Sequence, residues 1–466
     1  MSQVSGNEPS AKTGCPNLSL DTYDFSKLRV NPGRLIPHWD DETKLSSSDL
    51  IGGTHMAAIG KSNRFLLAAV CLAIVFVTGA VVESQSQPML ITLTGQSMIR
   101  SDIRTTAPAA VPVIQSLIKG DVKFTNFEAT VAEKGESAHS GGSFLAPPGA
   151  LDALMTFGFN LLSLSNNHAF DFKLTGLQNT LREVSRRKIA YAGTGQNVDQ
   201  AVAPGYLRTS KGTVALVALA SGMIEPGGNA TADRPGVDEL RIQMGDQQNE
   251  AMTELPPGIE NEPNHEDAQR ILQSIRNARQ HADLVIVYQH NHVFSNRPFL
   301  TMFEEELPER LAPNDWLKKW THQEVDAGAD IIVMHGAPLL HGLEIYQGKP
   351  IFYDLGNFIF NVPPALTTIE EPITWESVVA YVQFQGRNLQ SIILQPIFMN
   401  NVGEGVPDPH NRYTNNQFLD TRGLPAPATG QKASDILHRM ADASRPFGTE
   451  MEIRGDSAAV KVKSGN

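Results

Sequence analysis

The sequence predicts an α/β fold, and three observations carry that prediction. From Met89 to about residue 400, short apolar and β-branched runs alternate with amphipathic segments of helical period. Six of those apolar runs end in side chains bearing nitrogen or oxygen donors. If the runs are neighbouring strands, these donors share one edge of a sheet, where open α/β sheets place their chemistry. Finally, no internal repeat, glycine-rich phosphate loop or serine-nucleophile elbow breaks the alternation.

Taken in order, residues 1–64 are rich in Ser, Pro, Asp and Gly and lack a sustained apolar period, so they read as a disordered polar segment. Phe65–Val82 (FLLAAVCLAIVFVTGAVV) is uncharged and just long enough to cross a hydrocarbon core as a helix. Lys61 and Arg64 precede it and Glu83 follows, which predicts a single-pass anchor with its upstream end cytoplasmic and the C-terminal domain extracytoplasmic. Translation from Met56 would instead turn MAAIGKSNR into the basic start of a cleavable signal peptide, and the domain would be secreted.

The predicted domain spans 89–400. LITLT is a strand, APAAVPVIQSLIKG a helix, DVKFTNFE a strand running into a loop, and GALDALMTFGF a helix. The strand LLSL then opens into Asn166, Asn167, His168 and Asp171, followed by the helix KLTGLQNTLREVSRR. This polar turn has two readings. Asn and Asp can cap the next helix, or an amide oxygen, an imidazole and a carboxylate that fixes the imidazole tautomer can serve a metal-assisted site. IAYAGTG and the strongly β-like GTVALVALAS come next, then a Pro/Gly-rich acidic excursion over 222–264. HEDAQRILQSIRNARQHA feeds the strand DLVIVYQ, and APNDWLKKWTHQEVDAGA feeds DIIVMH. LEIY and PIFYDLG are joined by the turn QGK, and residues 401–466 read as an irregular, Pro-containing tail.

Composition excludes some functions. A formal net charge of -12 argues against a nucleic-acid partner, because phosphate contacts need a basic face. The cysteines are only Cys15 and Cys71, too few for a disulfide framework or a thiolate zinc site. The donors at the strand ends are Gln96, Glu128, Asn167 with His168, His290 with His292, His335, and Asp354 with Asn357. Imidazoles, amides and carboxylates suit zinc, manganese or iron. His281, His322 and His341 fall on helix or loop faces and read as structural.

The motifs TNFE, LSNNHAFD with GLQNTL, YAGTGQN, VIVYQHN and DIIVMHGAPLLHGLEIYQGKPIFYDLGNFIF resemble, in this order, the poly-gamma-glutamate capsule biosynthesis protein CapA family. The resemblance runs from about Leu90 to Phe360. It implies the calcineurin-like metallophosphatase fold, a four-layer α-β-β-α sandwich, in a protein tied to the outer face of the membrane. It also implies a part in synthesis, export or attachment of a poly-gamma-glutamate-type surface polymer, with other polymer-synthesis subunits as partners. An extracytoplasmic metal-dependent hydrolase and a non-catalytic binding module on the same scaffold are the alternatives.

Carried over residue by residue, the resemblance makes Glu128, Asn167, His290 and His335 ligands of one divalent metal. It makes His168 a general acid oriented by Asp171. The chain departs from the family pattern in two places: Gln96 stands where the family has an aspartate, and Pro338 follows Ala337 where a second histidine is usual. The second metal position has thereby lost an acid and a histidine, leaving Gln96, His292, Asp354 and Asn357 as possible additional ligands.

Overall fold

A computed structural model describes residues 87–133, 144–243, 261–293, 311–362, 372–401 and 417–462. The expected segments 1–64 and 65–82 lie outside the described residues, and among the described residues no helix is long and apolar enough to cross a membrane.

Two mixed sheets dominate. In the larger, Met89–Leu93, Val122–Asn126, Leu161–Ser163 and Ala190–Ala192 run parallel to one another in that spatial order. The hairpin Glu376–Gln385 and Asn388–Met399 adds antiparallel to Met89–Leu93. In the smaller sheet Gly212–Ser221, Leu284–Asn291, Ile331–His335 and Lys349–Phe352 are parallel neighbours, flanked by antiparallel edge strands Gly205–Thr209 and Leu343–Tyr346.

Strand periodicity sorts the side chains into layers. Ile91, Leu93, Phe124 and Leu161 of the larger sheet meet Leu216, Ile286, Tyr288 and Val333 of the smaller in one buried cluster between the sheets. Intervening residues of the smaller sheet, Val217, Val285, Val287 and Ile332, face outward onto Ile275 and Trp320 of the helices His265–His281 and Asp315–Ala327. The outer face of the larger sheet is covered by Val111–Leu117, Gly149–Phe157 and Lys173–Arg187, whose Leu177, Leu181 and Val184 recur at helical spacing. The order is therefore helices, sheet, sheet, helices. Each fully buried aliphatic side chain in these layers contributes roughly 1.5–3 kcal/mol.

The C-terminal part corrects the sequence reading. Residues after 401 were expected to form an irregular tail. Instead, Ser457–Val460 pairs with Asn388–Met399, Met451–Arg454 pairs with Ser457–Val460, and Pro425–Pro427 joins the other end of the Asn388–Met399 strand. The helix Gly430–Ser444 places Ala433, Ile436, Leu437 and Met440 in the cluster between the sheets. Spacing of i, i+3, i+4 and i+7 gives it one apolar face, and burial of that face drives the docking.

One buried acid lies away from the strand ends. Glu324, on the helix Asp315–Ala327, is fully buried, and neither carboxylate oxygen has a hydrogen-bond partner. Burial pushes its carboxyl well above the usual carboxylate range, opposed only by the Trp320 indole. The folded chain then holds a proton that the unfolded chain releases, so this contribution is full below the unfolded value of 4.5 and is lost as pH rises toward the folded value. Urea unfolding at pH 5 and pH 8 should show Glu324→Gln losing less stability over that interval than the unsubstituted protein, by up to about 1.4 kcal/mol per pH unit. An identical pH dependence would contradict this assignment.

Candidate functional site

The two sheets bring the C-terminal ends of their parallel strands to one rim. Leu284, Ile286 and Tyr288 face the layer between the sheets, and the alternation carries His290 to the same side. The register sets His290 beside His335 on the adjacent strand. The chain leaves that neighbour through Gly336, at φ +134, where a Cβ would lie 1.9 Å from the Asn291 carbonyl oxygen. Only glycine admits so close an approach in that backbone conformation.

His290 Nε2 is the centre of the cluster. It lies 2.9 Å from Asn167 Oδ1, 2.9 Å from His292 Nε2 and 3.7 Å from Glu128 Oε1. Its other nitrogen, Nδ1, is 3.1 Å from the Tyr288 hydroxyl. Asn167 opens a single 3-10 turn, Asn167–Phe170, preceded by Asn166 in extended conformation with no capping hydrogen bond from its side chain. The next helix, Lys173–Arg187, has Phe172 at its N-cap and no side-chain capping hydrogen bond, so the cap reading of this turn fails. The Asn166 amide instead donates to Asn126 Oδ1 and to the Phe127 carbonyl, and Asn126 Nδ2 stands 3.4 Å from Glu128 Oε2. This relay of amides ties the loop to the carboxylate.

His168 stands on the same turn, with Nδ1 2.8 Å from Asp171 Oδ2 and its side chain 22% exposed. Asp171 also accepts the Phe144 backbone N–H, and the Phe144 ring packs 5.6 Å from the imidazole with the Arg100 guanidinium over it. Burial pulls the His168 value down, but the charge and hydrogen bond of Asp171 and the charge of Glu128 outweigh it, so the net shift is upward. Glu128 is pushed up to about 7 by burial, against the lowering influence of His168. Burial lowers His292 and His335 to about 3 and drives His290 well below the ordinary value. The deep histidines are thus neutral, with lone pairs available, while the rim histidine favours its proton.

The remaining expected residues are near but differently engaged. His335, expected beside Asn167 and His290, points its Nε2 at the Thr94 carbonyl, 2.9 Å away, and its Nδ1 is buried without a partner. Asp354 accepts a backbone N–H on each oxygen, from Ala337 at 2.8 Å and Gly356 at 2.6 Å, so it holds these loops together. Asn357 accepts from Gln96 Nε2 at 3.0 Å and donates to the Thr374 carbonyl, while Gln96 Oε1 is buried and unpartnered. His292, only a secondary candidate from sequence, is at the centre. Tyr288 and the Asn126–Asn166 relay went unnoticed in sequence. Tyr288 was legible in principle, because it precedes His290 by one strand period.

The donors fit one dication better than two. The Asn167 amide oxygen and the His292 imidazole, each at 2.9 Å, and the Glu128 carboxylate at 3.7 Å surround His290 Nε2, and these donor types suit zinc, manganese or iron. Among the described residues no three His, Cys, Asp or Glu side chains are arranged to hold a metal, so an ion here would rest on two of them together with the Asn167 oxygen. A second ion would have to rely on neutral Gln96 and on Asp354, which is already committed to the backbone.

The sequence matches the family described as Bacterial capsule synthesis protein PGA_cap over residues 77–362. It is 26% identical to the Sinorhizobium fredii protein y4sH, in an alignment covering 76% of this chain and 89% of the relative. It is 28% identical to the PGA biosynthesis protein CapA of Bacillus subtilis, over 46% of this chain and 45% of that protein. The chain thus spans less than half of this second relative. Among solved structures, the NAD nucleotidase of Haemophilus influenzae aligns with 76% of this chain and 53% of its own at 12% identity, with a TM-score of 0.33. That likeness is too loose to bear on chemistry.

The His168–Asp171 pair gives a direct test of the electrostatics. Its stabilising contribution is present below 6.5 and is lost as pH rises through the raised folded value. An NMR titration should place the His168 midpoint above 6.5 and show Asp171→Asn bringing it down. A midpoint unaffected by that substitution would contradict the pairing.

Proposed function

The chain belongs to the Bacterial capsule synthesis protein PGA_cap family, and from that premise we propose that it acts in the synthesis, export or attachment of a poly-gamma-glutamate-type surface polymer. The carrying observation is that the family match, 77–362, contains every strand end that contributes to the cluster around His290. The name of the Bacillus subtilis relative supports the polymer class. In this reading Phe65–Val82 is a membrane anchor and the domain works outside the cytoplasm, next to other subunits of a polymer-synthesis assembly. An acidic chain and a polyanion repel at long range, so contact with the polymer depends on local groups such as those at this rim.

A second reading is favoured by one specific observation, the pairing of His168 with Asp171 beside that donor set. It is a hydrolase of the metallophosphoesterase type, on the calcineurin-like scaffold, acting on a phosphoester or amide bond. Asn167, His290 and Glu128 would hold the dication. When bound, the ion would supply an activated water and a counter-charge for the departing group. The chain's own work is proton handling. Asp171 accepts from His168 Nδ1–H and stabilises the imidazolium, whose Nε2 proton is then available to the leaving group. Burial of Glu128 and the neutral histidines keeps the local dielectric low, and each of these interactions gains strength from that.

Deletion of the gene followed by complementation tests both readings. Surface polymer should be lost on deletion and restored by the wild-type gene. His168→Gln should restore it at least about a hundredfold less well if proton donation limits the process. An undiminished polymer layer in the deletion strain would contradict the capsule reading. Full restoration by His168→Gln would contradict the hydrolase reading.

A further inference from the structure

A second polar concavity lies at the edge of the larger sheet. The edge strand Ala190–Ala192, the helix Lys173–Arg187 and the short helix Val198–Val202 border a cleft of about 480 Å³. That is within the roughly 300–1,000 Å³ of small-ligand sites. Helical spacing puts Gln178, Arg182 and Ser185 on one wall, and Tyr191, Gln196 and Gln200 complete the polar lining. No residue of the cluster around His290 lines this cleft. The two are nevertheless tied together, because the lining residue Thr194 donates its hydroxyl to the Leu164 carbonyl at 2.8 Å, in the strand exit that leads to Asn167.

The lining consists of amides, hydroxyls and one guanidinium. Each glutamine amide offers donors and an acceptor, and each hydroxyl offers both. Among the described residues the side chains of Gln178, Ser185, Tyr191 and Gln196 make no hydrogen bond, so this capacity is left to whatever fills the cleft. Gln200 accepts the Gln196 backbone N–H on Oε1 at 3.2 Å and keeps its own amide N–H groups. Arg182 contacts Glu133 and Asn179 through Nη2, which leaves the N–H groups of Nε and Nη1 for a ligand. Its pair with Glu133 is exposed, and exposed pairs contribute little, so an arriving carboxylate can share the guanidinium. Arg186, one helical turn on and also exposed, extends the basic line.

A ligand that uses every part of this lining repeats an amide and a carboxylate. A neutral saccharide would leave the guanidinium unused. A plain polyanion would leave the glutamines unused, while a chain of net charge -12 repels it at long range. We propose that this cleft is a binding subsite for an anionic polyamide, in which Arg182 takes a carboxylate and Gln178, Gln196 and Gln200 pair with amide groups of the bound chain. The choice of a γ-linked glutamyl chain as that polyamide rests on the capsule reading. Every residue of such a chain carries one amide and one carboxylate, so a short stretch presents both to the cleft at once.

The test is direct binding by the full chain, solubilised in a non-ionic detergent with chelator present. The probe is a fluorescein-labelled γ-linked glutamate oligomer followed by fluorescence polarisation. Binding should saturate and be reversed by the unlabelled oligomer. Arg182→Gln should weaken it at least about tenfold, the size of one charge-assisted hydrogen bond, and Arg182→Lys should recover part of the loss. Gln196→Ala, on the facing wall, should weaken it a few fold and carries the test if Arg182→Gln does not fold. Polyphosphate, anionic without amides, and a chitin oligosaccharide, with amides but no carboxylates, should not displace the probe. No binding by the wild type, binding indifferent to both Arg182→Gln and Gln196→Ala, or displacement by either control polymer would overturn the assignment. Indifference to these substitutions fails the subsite alone, whereas a deletion strain that keeps its polymer layer fails the capsule reading alone.

Discussion

The apolar layer shared by the two sheets is the constraint on which the rest depends. Leu93, Phe124 and Leu161 on one side and Leu216, Ile286 and Val333 on the other must interdigitate, and that fixes how the sheets face. Because each sheet has parallel central strands, fixing the faces also brings their C-terminal ends to one rim. Asn167 reaches this rim from the larger sheet and His290 from the smaller. The helix Gly430–Ser444 and its neighbouring strands extend the same layer, so residues far from the rim in sequence help to hold its geometry.

Burial explains the electrical character of the rim. Three histidines and Glu128 lie almost wholly away from water, where charge is costly. The imidazoles stay neutral and Glu128 retains affinity for its proton, so the cluster is made of donors with few fixed charges. Gln96 continues this trend, since it brings a neutral amide whose Nε2 anchors to Asn357. Such a centre has little negative charge to offset the mutual repulsion of two dications. His168 is the exception: partly exposed, and paired with Asp171, it is the one site histidine whose proton affinity is raised.

Much of this was legible in the sequence because it depends on local period. The alternation of strands and helices and the strand ends that carry Asn167 and His290 follow from spacing, while their joint role as ligands came from the family resemblance. What was missed depends on partners distant in the chain. Ser457–Val460 is too short and weakly apolar to announce itself, and it becomes a strand by pairing with Asn388–Met399. His335 was placed by motif order, yet its ring direction is set by the Thr94 carbonyl, 241 residues upstream. Asp354 has a ligand's chemistry, but the Ala337 and Gly356 amides claim it first, which only the folded loops reveal. His292 carried a local clue, its spacing of two from His290, and the masking influence was the expectation of a different histidine.

The central claim is that the packed sheets bring Asn167 and His290 into contact at the rim. A double-mutant cycle measures it most directly, with Asn167→Ala, His290→Ala and the double variant compared by denaturant unfolding in chelator. The account predicts a coupling energy of about 0.5–3 kcal/mol, as for residues in contact across a shared cluster. Additivity of the two substitutions to within about 0.3–0.5 kcal/mol would contradict it.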